Sequence, residues 1–323
     1  MSTQTSPVTT AQGGGARSGG ADGAGAGQHQ PRRRSRIARV PLLVWVFLLV
    51  PLVIELFWVF WPAANSFSLA LTRWDGIGLA EPVGLQNFRD LADDPIFRTA
   101  LVNNVIWVLG FGGLSVVGGL VLALTLNKPG PLVSLYRSSI YLPMVVSLAV
   151  SGLFWRVMYA PDGPINATLG LLGLESMQRQ WLADPTVALW AVLIAAVWRQ
   201  VGYIMVLYLA GLKGTDPTLE EAAAVDGANA WQRFWRIVMP QLSGVNTVIF
   251  AVTVIDSLRT FDIVWAMTRG GPYNETQLLS TYMFQQAFTT GNLGYASAIA
   301  VVIFALAIGF IITYLARQAR TED

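Results

Sequence analysis

Six stretches of this chain are long and apolar enough to cross a bilayer, and they limit its fold more than any other feature. They cover residues 41–63, 100–126, 136–158, 187–211, 243–266 and 293–316, each near the ~20 residues that a spanning helix needs. Turn-forming or charged segments separate them, among them Asp93-Asp94-Pro95, Asn127-Lys128-Pro129-Gly130-Pro131, Pro161-Asp162-Gly163-Pro164 and Gly270-Gly271-Pro272. A closed β-barrel also satisfies backbone groups in lipid, but it would read as alternating segments of about ten residues, and the sequence has no such pattern. The sequence predicts an all-α membrane protein with six transmembrane helices. Composition agrees, because only 12% of residues are charged and 54% are hydrophobic. Soluble chains carry roughly 25% charged residues, and a globule this poor in charge could not cover itself with polar surface.

The chain changes character near residue 40. Residues 1–39 form a tail in which Thr9 to Gln30 is mostly Gly, Ala, Ser and Gln; such a stretch cannot bury enough surface to offset its ordering entropy and is expected to be disordered. Pro31-Arg32-Arg33-Arg34-Ser35-Arg36-Ile37-Ala38-Arg39 follows. This run would suit a nucleic-acid arm, an export signal or a membrane-surface anchor. The apolar stretch directly after it favours the anchor and a retained first helix. The remaining expected divisions are the first helix with its outer loop (40–99), a five-helix core (100–317) and a short C-terminal tail (318–323). Twelve Lys and Arg residues flank the spans on the side of the N-terminus, against five on the other side. The positive-inside rule then puts both termini, and the segment 213–240, in the cytoplasm.

Several chemistries are excluded early. The chain has no cysteine, which rules out disulfides, thiolate nucleophiles and Cys-type metal sites, and its one histidine, His29, lies in the Gly-rich tail. No catalytic constellation and no metal set is expected. A net charge of +2 gives no reason to expect nucleic acid as a partner. No Gly-x-x-x-x-Gly-Lys-Ser/Thr loop occurs, so any ATP would be bound by another chain.

Between the fourth and fifth apolar stretches the chain reads GTDPTLEEAAAVDGANAWQRFWRIVMPQL. Asp216 can cap a helix that begins at Pro217. Glu220 and Glu221 suit its early turns, and Gly227 can end it in the left-handed conformation. A second helix is expected from about Ala230 to Met239, stopping at Pro240. The product is a helix–turn–helix hairpin whose alanines leave one face thin. A plain amphipathic connector resting on the membrane would also suit this composition.

The spacing narrows that choice. Glu221-Ala222-Ala223, three residues, Gly227, nine residues, Ile237, one residue, Met239-Pro240 resembles the EAA motif of the membrane subunits of binding-protein-dependent ABC importers. Asp226 and Ala228 fit the same pattern, and Met239 stands where Leu is usual. Phe261 to Pro272, FDIVWAMTRGGP, is similar to a signature of carbohydrate-importer permeases of the maltose type. Thr276, Ala287-Phe288 and Gly294-Tyr295-Ala296-Ser297-Ala298 continue the likeness. The resemblance runs from about residue 40 to the C-terminus. It implies a type I ABC importer permease fold in a bacterial cytoplasmic (inner) membrane. It also implies four partners: a second homologous permease, two ATPase subunits that hold the ATP and Mg, and an extracytoplasmic solute-binding protein. By that resemblance the hairpin is the coupling element, with Glu221, Ala222 and Ala223 seated in a groove of the ATPase and Gly227 allowing the turn.

Polar groups inside spans cost ~2.5–3.5 kcal/mol near the helix centre when ionisable, and so count as functional candidates. The fourth stretch carries Arg199, Gln200 and Tyr203. The fifth carries Asp256, Ser257, Arg259, Thr260 and Asp262. Arg199 and Tyr203 are four apart and share a helix face, and Arg259 and Asp262 are spaced to pair. These groups suit two roles: clamping helices together, or lining a hydrated path for a neutral, hydroxyl-rich solute. The resemblance places sugar contacts near Met144, Leu148, Arg199, Gln200, Tyr203, Asp256, Ser257 and Thr260; an Arg and an Asp depart from the uncharged residues expected there. Gly110, Gly112, Gly113, Ser115, Gly118 and Gly119 suit close helix packing. Asp93-Asp94, next to Pro95 and without acidic partners at ligand spacing, reads as a capped loop rather than a metal or nucleotide-sugar site.

Two other classes would fit a polytopic chain. A secondary transporter would show inverted repeats with interrupted helices at matching positions, and no convincing repeat is present. A membrane transferase would cluster acids or bases at an interface, whereas the ionisable groups here are mid-span.

Overall fold

Lipid offers backbone groups no hydrogen-bond partner, so long apolar runs fold as helices. The computed structural model describes residues 42–319, and the expectations for residues 1–39 lie outside this range. The chain divides into two units after Leu52. Of the first, the described part is helix from Leu42 to Leu52, and its side chains from Val44 onward are exposed. All that follows, apart from the first candidate span, concerns the second unit.

Four helices are long and apolar enough to cross a membrane: Val44–Leu69, Pro95–Leu126, Ala188–Leu212 and Leu293–Tyr314. Two bent pairs add to them and make up to six spans if each pair counts as one. The third expected stretch is one of these pairs. Pro131–Val145 and Leu148–Met158 meet at 103°. Val146 between them is extended, and Ser147 opens the second half by accepting a bond from the Val150 amide. The expected fifth stretch, 243–266, is also interrupted. Its helix runs Ser243–Arg259, and after Thr260 and Phe261 a short helix, Asp262–Met267, takes over.

The last helix continues to Ala319, two residues into the stretch expected as a tail. Glu55, in the first span, is exposed.

Glycines let the spans approach closely, as their clustering predicts. Cβ atoms at Gly110, Gly118 and Gly119 would press on Leu193, Val201 and Ile204 of the facing helix, all within 2.9 Å. Gly202 is the tightest crossing in the span pair it serves. A Cβ there would come within 2.2 Å of the Ile140 carbonyl oxygen, so Pro131–Val145 can cross Ala188–Leu212 only at a glycine. Two apolar clusters result along the fourth span. One centres on Trp107, Val192, Leu193 and Val264. The other, nearer the hairpin, centres on Ile204, Met205, Tyr208 and Leu242.

The end opposite the hairpin is tied by side chains to main chain. Thr72–Arg73 pairs antiparallel with Glu81–Pro82, and Asn87 donates to the Ala70 and Thr72 carbonyls at 2.8 and 2.9 Å. Asp94 caps the second span through the Ile96 amide at 2.8 Å, where the sequence predicts a capped loop. Its other oxygen accepts from Tyr282 and from Tyr295, the latter at 2.6 Å. Burial works to raise the Asp94 carboxyl, but these two hydroxyls and the Ile96 and Phe97 amides outweigh it and hold the group below its ordinary value. Tyr282 moves the other way, raised by burial and by its bond to Asp94.

Candidate functional site: a polar cavity and an exposed hairpin

The two helix breaks face one cavity. Its volume is about 320 Å³, and Met144 and Leu148 line it from either side of the first break, with Thr260, Phe261 and Asp262 at the second. Arg199, Gln200 and Asp256 complete the polar wall, while Phe111, Ala196 and Ile263 supply apolar surface. Six of the eight expected path positions therefore meet in one place.

Tyr203 and Ser257 do not line this cavity. Tyr203 lies one turn nearer the hairpin, half-buried against the cluster of Ile204, Met205 and Tyr208. Ser257 is fully buried and donates to the Thr253 carbonyl at 2.7 Å, so its hydroxyl is spent on its own helix. Arg259 and Asp262 do not pair, because the break falls between them. The ion pairs among the described residues are Arg179–Asp184 and Arg233–Glu220.

Hydrogen bonds organise what remains. Gln200 donates to Asp256 across the fourth and fifth spans at 3.3 Å. Arg199 donates to two carbonyls of the first break, Val146 at 3.2 Å and Met144 at 3.3 Å. At the second break Thr260 bonds back to the Asp256 carbonyl at 2.7 Å, and Ser280 donates to the Thr260 carbonyl. Phe261 stacks on Trp265 with centroids 5.6 Å apart, and Phe284 meets both rings at 4.8 Å. The cavity thus offers donors, acceptors and aromatic faces together.

The Gly270-Gly271-Pro272 signature folds into a knot beside it. Thr276 bonds the Gly271 carbonyl at 2.6 Å and lies 2.7 Å from the Thr268 hydroxyl. Asn103 donates to the Glu275 and Gln277 carbonyls, and Asn104 accepts from the Leu279 amide at 2.7 Å. These two asparagines were not among the expected residues. An adjacent Asn pair in an apolar run is the signal that could have marked them.

The hairpin forms as its residues predict, with one difference. Its first helix is Pro217–Val225, capped by Asp216, whose carboxylate accepts from the Thr218 amide at 2.9 Å and hydroxyl at 2.8 Å. Those bonds hold the Asp216 carboxyl below its ordinary value. Gly227 sits at φ +85°, and the Gly227 and Ala228 amides close the helix on Ala224 and Ala223 at 3.1 and 2.9 Å. Asn229 and Gln232 cap the second helix reciprocally. That helix does not stop at Pro240 but runs on to Gln241 before a 74° bend into Ser243–Arg259. A wide turn over Phe234–Val238 comes just before the proline. It relieves the clash that a proline ring makes with the preceding turn of an ordinary helix.

Glu221, Ala222, Asp226, Gly227 and Pro240 are exposed, and Ala223 and Ile237 are half-buried. Val225 is 88% and Trp231 70% exposed, so apolar surface is displayed at the hairpin's tip. Gln241 accepts from the Asp216 amide at 2.8 Å and joins the two ends of the hairpin.

The model of the family described as binding-protein-dependent transport system inner membrane component matches residues 115–321. The chain belongs to this family. It is a permease, the membrane-translocation subunit of an ABC transporter. The permease is 35% identical to the sulfoquinovosyl glycerol transport system permease protein of Agrobacterium fabrum, over 87% of this chain and 92% of that one. It is 32% identical to the lactose transport system permease protein of Rhizobium radiobacter, over 85% and 94% of the two chains. Its fold matches a chain in the crystal structure of a bacterial alginate ABC transporter in complex with alginate pentasaccharide-bound periplasmic protein. The TM-score is 0.73 at 22% identity, covering 87% of the permease and 95% of that chain. Both sequence motifs of the permease fall within the family match: the EAA-like hairpin and the Gly-Gly-Pro knot.

Proposed function

We propose that this permease carries a sugar or sugar derivative from an extracytoplasmic solute-binding protein into the cytoplasm. One observation carries the reading: a cavity between two broken spans whose walls combine amide, carboxylate, guanidinium and hydroxyl groups with aromatic faces. Sugars present dense hydroxyls and apolar ring faces, so they ask for that mixture. The names of relatives that import lactose and sulfoquinovosyl glycerol support the same class.

The permease forms half of the pathway, with a second homologous permease as the other half. Two ATPase subunits bind ATP and Mg, and the hairpin docks in a groove of one of them, with Glu221, Ala222 and Ala223 against that ATPase and Gly227 at the turn. ATP-driven closure of that pair switches the spans between inward-facing and outward-facing states. The excess of Lys and Arg beside the N-terminus and the hairpin supports a cytoplasmic position for both termini.

The test is uptake of labelled sugars into proteoliposomes that hold the permease, its partner, the ATPases and internal ATP. Sugars are chosen by their binding to the cognate solute-binding protein. ATP-dependent accumulation of unmodified sugar is expected. Accumulation without the ATPases would point to a secondary transporter, and a chemically altered product to an enzyme.

A further inference from the structure

A break in a spanning helix releases carbonyls that an unbroken helix would bond, and they must find partners inside the protein. At the break in the third span two such carbonyls find the same partner. Arg199 Nη2 donates to the Met144 oxygen and Nε to the Val146 oxygen. A guanidinium is planar and offers several donors in a rigid fork, so it can hold two carbonyls two residues apart. Its hydrogen bonds go to main chain, because Asp256 is bonded by Gln200 and Arg199 forms no ion pair among the described residues.

Beyond the break, Leu148–Met158 lies against Asp262–Met267, where a Cβ at Gly152 would fall 2.7 Å from that of Ala266. The segment that Arg199 holds is thus packed on the segment that follows the second break.

We propose that Arg199 is a positioning residue for transport: it latches the break in the third span, fixing the angle between Pro131–Val145 and Leu148–Met158 and so the wall of the cavity. This builds on the reading of the cavity as the solute passage, but its main test does not depend on transport.

The chain contains no cysteine, so on this chain thiol-reactive spin labels attach only at introduced positions, and the same assembly without them gives the partners' background. Leu135→Cys and Val157→Cys place them on the two halves at sites 62% and 65% exposed. Pulsed electron resonance on the assembled transporter in nanodiscs then gives the distance across the break. With Arg199 present, a single narrow distribution is expected in the resting state. Arg199→Met keeps the side chain's bulk but removes its donors. It is expected to broaden the distribution and to lower the maximal uptake rate by about tenfold, the scale of one lost charge-assisted hydrogen bond, with KM unchanged. Arg199→Lys can meet one carbonyl but not two, and falls between.

A narrow, wild-type distribution in Arg199→Met overturns the latch; if KM has risen as well, Arg199 is a solute contact instead. A broadened distribution with wild-type uptake overturns its role in transport. Should Arg199→Met fail to assemble, Arg199→Lys decides, and a wild-type distribution and rate there overturn the proposal. Failure of the passage reading looks different. It would appear as wild-type uptake in Thr260→Trp, which adds bulk to the cavity from the other break.

Discussion

Gln200 and Asp256 join the fourth and fifth spans by a single hydrogen bond, amide to carboxylate, at the wall of the cavity. A bond in this position serves helix association and solute contact equally well on geometric grounds, and the two roles respond differently to substitution. Gln200→Ala and Thr260→Ala are expected to lower sugar uptake while leaving the complex with the second permease intact. Co-purification of the partner with each variant is the deciding measurement. Loss of the partner alongside uptake would assign the bond to assembly.

The hairpin gives a sharper expectation. Gly227 has φ +85°, and a Cβ there would meet nothing within 4 Å, so the cost of replacing it is backbone strain, about 1–2 kcal/mol for an L-residue in the left-handed region. Gly227→Val is expected to reach the membrane normally but to separate ATP hydrolysis from uptake. Asn tolerates the left-handed region, and Gly227→Asn should retain most coupling. Equal uptake by Gly227→Val and wild type would remove the turn from the coupling path.

Close packing is tested where two main chains nearly touch. Gly202→Ala forces a methyl against the Ile140 carbonyl, and overpacking of this kind costs about 1–3 kcal/mol. Gly113 faces open space, which makes Gly113→Ala a matched control. Thermal unfolding in detergent should show a lower midpoint for the first variant and an equal or higher one for the second, because alanine favours a helix over glycine.

The Asp94 node predicts a pH dependence. A carboxyl held below its unfolded value adds stability above that value and loses it as pH falls through the folded one. Stability of the purified permease is therefore expected to decline below about pH 4, the ordinary range of an aspartate. Asp94→Asn should flatten the decline, since it cannot titrate. Parallel pH profiles for the two proteins would show that the Tyr282 and Tyr295 bonds contribute nothing measurable.

How far these features could be read from sequence depends on the distance over which each is decided. The hairpin was legible because its determinants are local. Asp216, Pro217 and Gly227 each specify the backbone within a turn or two. The continuation through Pro240 was not, because a wide turn upstream of a proline leaves no compositional mark. The break at Val146 and Ser147 was hidden inside a continuous apolar run. Pro143 lies three residues before it, and the partners that make the break tolerable, Arg199's donors, come from another helix. At Thr260 no breaking residue is present at all, and Ser280 supplies the bond from 20 residues away. The cavity's polar residues could be picked out as costly groups in lipid, but periodicity alone could not tell which would reach it. Arg199 and Tyr203 share a face on an ideal helix, yet Tyr203 lies half-buried against the cluster of Ile204, Met205 and Tyr208 instead.

The two interrupted helices have a consequence for how such a permease can diversify. The breaks that frame the cavity are held through peptide oxygens, Met144 and Val146 by Arg199 and Thr260 by Ser280, and peptide oxygens are the same whatever residue stands there. No point substitution can recolour those groups; it can only move them. A change of cargo would then have to be written in the side chains opposite, at Ala196, Gln200 and Asp256, leaving the frame as a fixed template.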